Sequence, residues 1–122
     1  MIKIDIKPIS INEAYTGRRF KTDKYKIFKK KFKLLVDKKI KAPEKSFYIV
    51  FEFGFSNVLS DWDGSIKNTQ DTLQDILKFN DVVILGGWTV KKKVDKGKEY
   101  IKYYFVEENE KELLINKIKE TL

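Results

Sequence analysis

Residues 47–55 read FYIVFEFGF, and all but two of these positions carry an aromatic or β-branched side chain. Such side chains are favoured on the pleated surface of a β-sheet. The stretch therefore predicts a strand, and the other elements of the chain can be placed outward from it.

The chain before this strand predicts one strand and one helix. Residues 2–6 alternate apolar and charged side chains, as a half-buried strand does. The polar run 10–22 contains a glycine and predicts a loop. Asp23 is a suitable N-cap, and after it apolar residues recur at helical spacing to about Lys39.

The chain after this strand predicts a helix, two strands and a final helix. Ser60 or Asp61 is expected to cap the helix that directly follows the strand at 47–55. Residues 82–90 form an apolar run, in which a pair of glycines indicates a bulge. A hairpin turn at 91–98 then leads into an alternating strand and a C-terminal helix. The apolar stripe of the helix that follows Asp61 consists of Ile66, Leu73, Ile76 and Leu77.

The predicted order is β-α-β-α-β-β-α, which indicates one α+β domain spanning residues 1–122, with helices packed on a mixed sheet. The 122 residues include neither histidine nor cysteine. Disulfide scaffolds, zinc fingers and catalysis by His or Cys are therefore excluded. No apolar run approaches the roughly 20 residues that span a bilayer, and no signal-peptide pattern follows Met1. We expect a soluble, cytoplasmic protein without a membrane segment.

The formal net charge of +8 is unevenly distributed. Residues 17–41 hold twelve basic and two acidic side chains, and residues 89–98 hold five lysines and one aspartate. Between them, residues 56–88 have a net charge of −3. Basic blocks of this kind are typical of proteins that bind polyanions. A generally lysine-rich composition would produce the same pattern, since Arg18 and Arg19 are the only arginines.

The acidic centre begins with the sequence SDWDGSIKNTQDTLQD at residues 60–75. In an extended segment, the carboxylates of Asp61 and Asp63 would face one point. Lys67 and Asp71 follow Asp63 at intervals of four residues, which would place all three on one helical face.

Asp81 precedes the apolar run and is expected at the start of a buried strand, at the same end of the sheet as the acidic helix start. Three converging carboxylates are tolerated when they bind a hard cation such as Mg²⁺, for which Mn²⁺ is a plausible substitute. Such a metal activates water and polarises a phosphodiester, and a lysine can stabilise the charge that develops on the phosphate. The alternative is that these aspartates only cap a helix.

The order and spacing of these motifs resemble the RusA-type Holliday-junction resolvases. That family has an N-terminal strand and a polar loop, then a helix and a strand. A D-x-D motif follows with a lysine one helical turn later, and a further Asp stands before an apolar strand. Here the features read KPISINEAYTGRRFKT at residues 7–22, DWD at 61–63 with Lys67, and NDVVI at 80–84.

The resemblance implies a role for each matching residue. Asp61, Asp63 and Asp81 would be the catalytic carboxylates that bind Mg²⁺, and Lys67 would assist them. Asp71 falls on a position that is often acidic in this family. The family members are homodimers that nick four-way DNA junctions symmetrically in recombination and repair. Residues of the N-terminal loop that would contact DNA or support the site are Asn12, Tyr15, Arg18, Arg19 and Lys21.

Two features depart from the family pattern. Gly64 stands where the family usually has asparagine, and residues 55–60 lack the basic side chains that often precede the D-x-D motif. Both departures concern the grip on the junction and the preferred cleavage sequence. The sequence therefore favours a Mg²⁺-dependent endonuclease acting on branched DNA. The alternatives are a non-catalytic basic nucleic-acid-binding protein and a nuclease that cuts flap or duplex DNA.

Overall fold

A computed structural model describes residues 1–17, 20–57 and 59–122 of the chain. It has a four-stranded mixed sheet and a small two-stranded sheet with helices packed against them, so the predicted α+β class is confirmed. The strands are β1 (Ile2–Ile4), β2 (Tyr15–Thr16), β3 (Phe20–Lys21), β4 (Phe47–Phe55), β5 (Ile84–Lys93) and β6 (Tyr100–Glu107). The helices are α1 (Ile11–Ala14), α2 (Asp23–Leu35), α3 (Ile66–Leu77) and α4 (Lys111–Glu120), and a 3₁₀ turn covers Asp81–Val83.

Strand β4 organises the main sheet, whose order is β1-β6-β4-β5. It pairs with β5 in parallel and with β6 antiparallel. The predicted hairpin between the last two strands is wrong, because β5 and β6 lie on opposite sides of β4. Residues 94–99 cross the end of β4 instead of folding β6 back onto β5.

The alternation of β4 divides the core into two layers. The side chains of Phe47, Phe51 and Phe53 are buried in the cluster that also contains Phe28 and Phe32 of α2. Val50, Glu52 and Gly54 alternate with them and therefore face the opposite side of the sheet. Helix α4 packs on that second side, where the indole N–H of Trp88 donates to the Thr121 hydroxyl at 3.0 Å.

The predicted loop 10–22 contains regular structure. Ser10 caps α1 in a capping box with Glu13, a pattern already visible as S-x-x-E in the sequence. Strands β2 and β3 then form a short hairpin. Thr22, and not Asp23, is the N-cap of α2, because its hydroxyl accepts a hydrogen bond from the backbone N–H of Tyr25 at 3.2 Å.

The predicted bulge at the glycine pair is confirmed. Phe47 pairs with Ile84 and Tyr48 pairs with Gly86, so Leu85 is left out of the register. Gly86 has a φ of +152°, which L side chains rarely adopt. A Cβ at Gly87 would lie 2.0 Å from the carbonyl oxygen of Ile49. Glycine at position 87 therefore lets β5 approach β4 closely.

Strand β5 is an edge strand and not the buried strand expected from its apolar sequence. Leu85 is 45 % exposed, and Val82, just before the strand, is 78 % exposed. Across the described ranges, no helix is both long and apolar enough to cross a membrane.

Candidate functional site

Asp61 and Asp63 lie in consecutive turns between β4 and α3, and both are exposed. The predicted cap at Ser60 or Asp61 is wrong, because α3 begins at Ile66 with Ser65 as its N-cap. Backbone carbonyls close the turns: that of Asp61 accepts from the N–H of Gly64, and that of Asp63 from the N–H of Ile66, both at 3.2 Å. Asp63 therefore precedes the helical face that carries Lys67 and Asp71.

Two elements hold this turn in place. The backbone N–H of Ile11 in α1 donates to the Gly64 carbonyl at 2.9 Å. The ammonium group of Lys91, on β5, donates to the Ser60 carbonyl at 2.5 Å. The D-x-D segment is thus fixed between the N-terminal loop and the end of the parallel strand pair.

Asp61 and Asn12 line one cavity of about 220 Å³. Glu13 lines the same cavity, and it also forms an ion pair with Lys24. The fold therefore brings together a residue from each of two motifs that are far apart in sequence. No chemical motif of the sequence marks Glu13 as a site residue; the only signal is its position in the S-x-x-E capping box.

Asp81 lies at the opposite end of the sheet from Asp61 and Asp63. In the parallel pair, Phe55 is opposite Lys93 and Phe47 is opposite Ile84. Asp61 follows the end of β4, whereas Asp81 precedes the start of β5. The connection between parallel strands must return the chain from one end to the other, and the twelve residues of α3 span about 18 Å of that return.

The expectation that Asp81 lies at the end of the sheet that carries Asp61 and Asp63 is therefore wrong. Within the part of the chain that the structure describes, no three metal-ligating side chains come close enough to hold an ion. Asp61 and Asp63 carry carboxylate oxygens of the kind that Mg²⁺ takes as ligands, but the described residues of one chain do not bring a third carboxylate to them.

The negative charge of Asp81 acts on Asp71 of α3. Burial raises the pKa of Asp71 above its usual value, and the negative charges of Asp75 and Asp81 add to this effect. The ammonium groups of Lys67 and Lys29 oppose it. Lys67 and Asp71 share one face of α3. The lysine that the resemblance assigns to catalysis therefore lies between Asp63 and Asp71 along the chain.

The predicted DNA-contact residues divide between two places. Asn12 belongs to the cavity with Asp61. Tyr15 packs edge-to-face on Tyr25 of α2 at 5.5 Å, and the ammonium group of Lys21 lies 5.8 Å from the Tyr25 ring. The positive charge of Lys29 is the largest influence that lowers the pKa of Lys21. Arg18 and Arg19 lie outside the described residues.

The lysine run at 91–93 is divided by the pleat of β5. Lys91 and Lys93 are paired with Phe53 and Phe55 and share their side of the sheet, whereas Lys92 faces the other side. Lys91 is thus a site residue that the run alone did not distinguish. The alternation of a strand would have separated it from Lys92.

A second charged cluster, on the other side of the sheet, was not predicted. Glu52 is only 1 % exposed. Its carboxylate accepts a hydrogen bond from the Tyr100 hydroxyl at 2.6 Å and contacts the ammonium groups of Lys92 at 3.2 Å and Lys102 at 3.4 Å. Burial alone would raise the pKa of Glu52, but these three partners outweigh it and lower that pKa. The sequence signal was a single acid within an apolar strand.

Comparison of the chain with protein-family models finds no match, and neither does comparison with curated proteins.

Proposed function

We propose that this protein is a Mg²⁺-dependent endonuclease that acts on branched DNA, with the four-way junction as its substrate, and that it works as a homodimer. One observation carries the proposal: Asn12 and Asp61, which belong to two separate motifs of the resolvase resemblance, line the same cavity. The formal net charge of +8 supports binding of a polyanion by the protein.

The residues of the chain have distinct parts in this proposal. Asp61 and Asp63 would hold Mg²⁺, which when bound supplies Lewis-acid activation of a phosphodiester. Asn12 would orient the DNA strand at the cavity. Lys91 keeps the turn that carries both carboxylates in place through its bond to Ser60. Lys67, exposed in the first turn of α3, would balance negative charge on the phosphate.

A site shared between two subunits would supply the third carboxylate that the described residues of one chain do not bring to Asp61 and Asp63. Among the strands that the structure describes, none pairs with the outer edge of β5. In an antiparallel, two-fold pairing of this edge with a second copy, the start of one β5 lies beside the end of the other. Asp81 of the second copy would then approach the end of the sheet that carries Asp61. The exposed side chains of Val82, Leu85 and Trp88 would be covered by the same pairing.

A second candidate is a nucleic-acid-binding protein without catalytic activity. It is favoured by the separation of Asp81 from Asp61 and Asp63, since the described part of one chain does not assemble a metal site. A nuclease that prefers flap or duplex DNA is a variant of the leading proposal, and competition between a junction and linear duplex distinguishes the two.

The test is cleavage of a synthetic four-way junction with Mg²⁺, with Mn²⁺ and with EDTA. We expect metal-dependent nicking that falls about 100-fold or more in Asp63→Asn. Asp95→Asn, in the exposed turn before β6, is the matched control and should cleave normally. Unchanged cleavage by Asp63→Asn would remove the metal assignment. Junction binding without any nicking would favour the binding protein.

A further inference from the structure

The side of the sheet that faces away from α2 and α3 is covered along only part of its length. Helix α4 packs there through Lys117, whose ammonium group lies 4.3 Å from the Tyr104 ring, and through the Trp88–Thr121 hydrogen bond. Towards the C-terminal end of β4, the same side carries Glu52 and its partners. This is the end of the sheet from which the chain continues to Asp61.

The geometry around Glu52 holds two lysines in defined positions. Lys92 contacts one carboxylate oxygen and Lys102 the other, from the strands on either side of β4. Tyr100 completes the arrangement by donating to the oxygen that Lys102 contacts. Its ring lies against Gly54, where a Cβ would come within 2.5 Å of a ring carbon. Glycine at position 54 therefore allows the tyrosine to cross β4 and reach the acid.

The cluster carries more positive than negative charge. One buried carboxylate is matched with two ammonium groups, and each of these has three N–H donors, of which Glu52 occupies one. The side chains of Lys92 and Lys102 are 39 % and 34 % exposed, so their remaining donors reach solvent. Lys3, opposite Lys102 in the register, places its ammonium group 5.1 Å from the Tyr100 ring, but Asp5 at 3.6 Å balances that charge, so the excess rests on Lys92 and Lys102.

We infer that Lys92 and Lys102 form a second contact for the phosphates of a nucleic-acid backbone, and that Glu52 is the positioning residue that holds them apart and aimed outward. Lysine ammonium groups bind phosphate oxygens as point charges, and such contacts fix the register of a nucleic acid on a protein.

The location supports a continuous path for the backbone around the end of the sheet. A cavity of about 100 Å³ at this end is lined by Phe55, Asn57 and the three lysines 91–93, which come from both sides of the sheet. Lys91 faces the D-x-D turn and Lys92 faces the Glu52 cluster. A strand bound at Asp61 could therefore continue past Asn57 onto the opposite side. The inference rests on the nucleic-acid binding shared by both candidate functions and does not require hydrolysis.

The experiment measures binding of a fluorescently labelled four-way junction in EDTA, where no cleavage occurs, over a range of salt concentrations. The double variant Lys92→Gln/Lys102→Gln should bind more weakly. The slope of log affinity against log salt concentration should become less negative by about 2, because each of the two lost phosphate contacts contributes about 0.9 to that slope. The control Lys96→Gln/Lys98→Gln removes the same charge from the exposed turn before β6 and should change the slope by less.

Glu52→Gln separates positioning from charge. The substitution adds one net positive charge, so a purely electrostatic surface would bind DNA more tightly. We expect weaker binding, because the lysines lose the carboxylate that holds them. Circular dichroism confirms that each variant is folded, and Tyr100→Phe serves as a milder disturbance of the same anchor if Glu52→Gln does not fold.

Two results would overturn the inference. One is an unchanged slope in the double lysine variant while the wild type binds normally, which leaves the proposed function intact. The other is tighter binding by Glu52→Gln, which would reduce the cluster to a structural ion pair. A wild type that does not bind DNA at all would remove both this inference and the proposed function.

Discussion

The hydroxyl of Tyr100 donates a 2.6 Å hydrogen bond to the carboxylate of Glu52, which is almost completely buried in the central strand of the sheet. Hydrogen bonds to charged groups are stronger than those between neutral groups. Burial raises the pKa of the Tyr100 phenol, and the neighbouring carboxylate raises it further, so the phenol stays protonated as the donor. The buried Tyr100–Glu52 pair thus fixes the carboxylate that the half-exposed ammonium groups of Lys92 and Lys102 contact.

Tyr100→Phe should lower the free energy of unfolding by about 1.5–3 kcal/mol, the usual contribution of a hydrogen bond to a charged group. The ring is retained, so the loss reports the hydroxyl alone. Urea denaturation measures the change. Tyr104→Phe is the control. Tyr104 is on β6 like Tyr100, and its ring contacts Lys117 of α4, so removal of its hydroxyl should lower the free energy of unfolding by less. Equal losses of unfolding free energy in the two variants would show that the hydrogen bond to Glu52 stabilises the fold no more than an ordinary tyrosine hydroxyl does.

The stability of the protein should depend on pH through Glu52. Its pKa is lower in the folded protein than the ordinary value of 4.5. The stabilisation is therefore fully present above about pH 4.5 and is lost as the pH falls through the folded pKa. Glu52→Gln lacks this titration, so its melting temperature should fall less between pH 6 and pH 3 than that of the wild type. Parallel melting curves would argue against this prediction.

Mixing two inactive variants should restore cleavage if each site takes carboxylates from two subunits. In a heterodimer of Asp61→Asn and Asp81→Asn, one composite site carries both substitutions and the other carries neither. We therefore expect the mixture to nick one strand of a junction, whereas each variant alone is inactive. A site formed within one chain would carry one substitution in every copy, and the mixture would stay inactive.

Gly87→Ala should strongly destabilise the protein. The new Cβ would lie 2.0 Å from the backbone oxygen of Ile49, which cannot move away as a flexible side chain would. We expect a loss of more than about 3 kcal/mol, or failure to fold. Gly64→Ala is the control, because its Cβ would find its nearest neighbour at an ordinary 3.5 Å. Chemical denaturation compares the two, and a tolerated Gly87→Ala would contradict the close approach of β4 and β5.

The regular elements followed largely from local patterns. Strand β4 has the bounds that its aromatic and β-branched residues predict, and the glycine pair marked the bulge in β5. The apolar stripe of α3 was only part of its buried face. Leu73 is buried, but so are Asn68 and Thr72, since the Asn68 amide donates to the Ile9 carbonyl and the Thr72 hydroxyl to the Asn68 carbonyl. The first of these hydrogen bonds reaches the loop before α1 and the second lies within α3, and a count of apolar residues shows neither.

The candidate site was predictable in its residue types but not in its arrangement. The D-x-D turn and Asn12 were recognisable as motifs, and the fold brings Asp61 and Asn12 to one cavity. The place of Asp81 depended on strand direction. Had β5 paired antiparallel to β4, its start would lie beside the end of β4 and near Asp61.

The amino-acid sequence by itself determined the strand at 47–55, the α+β class and the types of side chain open to chemistry, because these depend on residue type and local periodicity. Only the tertiary structure decided that β5 runs parallel to β4, that Asp81 lies far from Asp61 and Asp63, and that Glu52 is buried between two lysines. Each of these depends on which strands pair and in which direction. Pairing is decided by contacts between distant segments, to which a local pattern is insensitive.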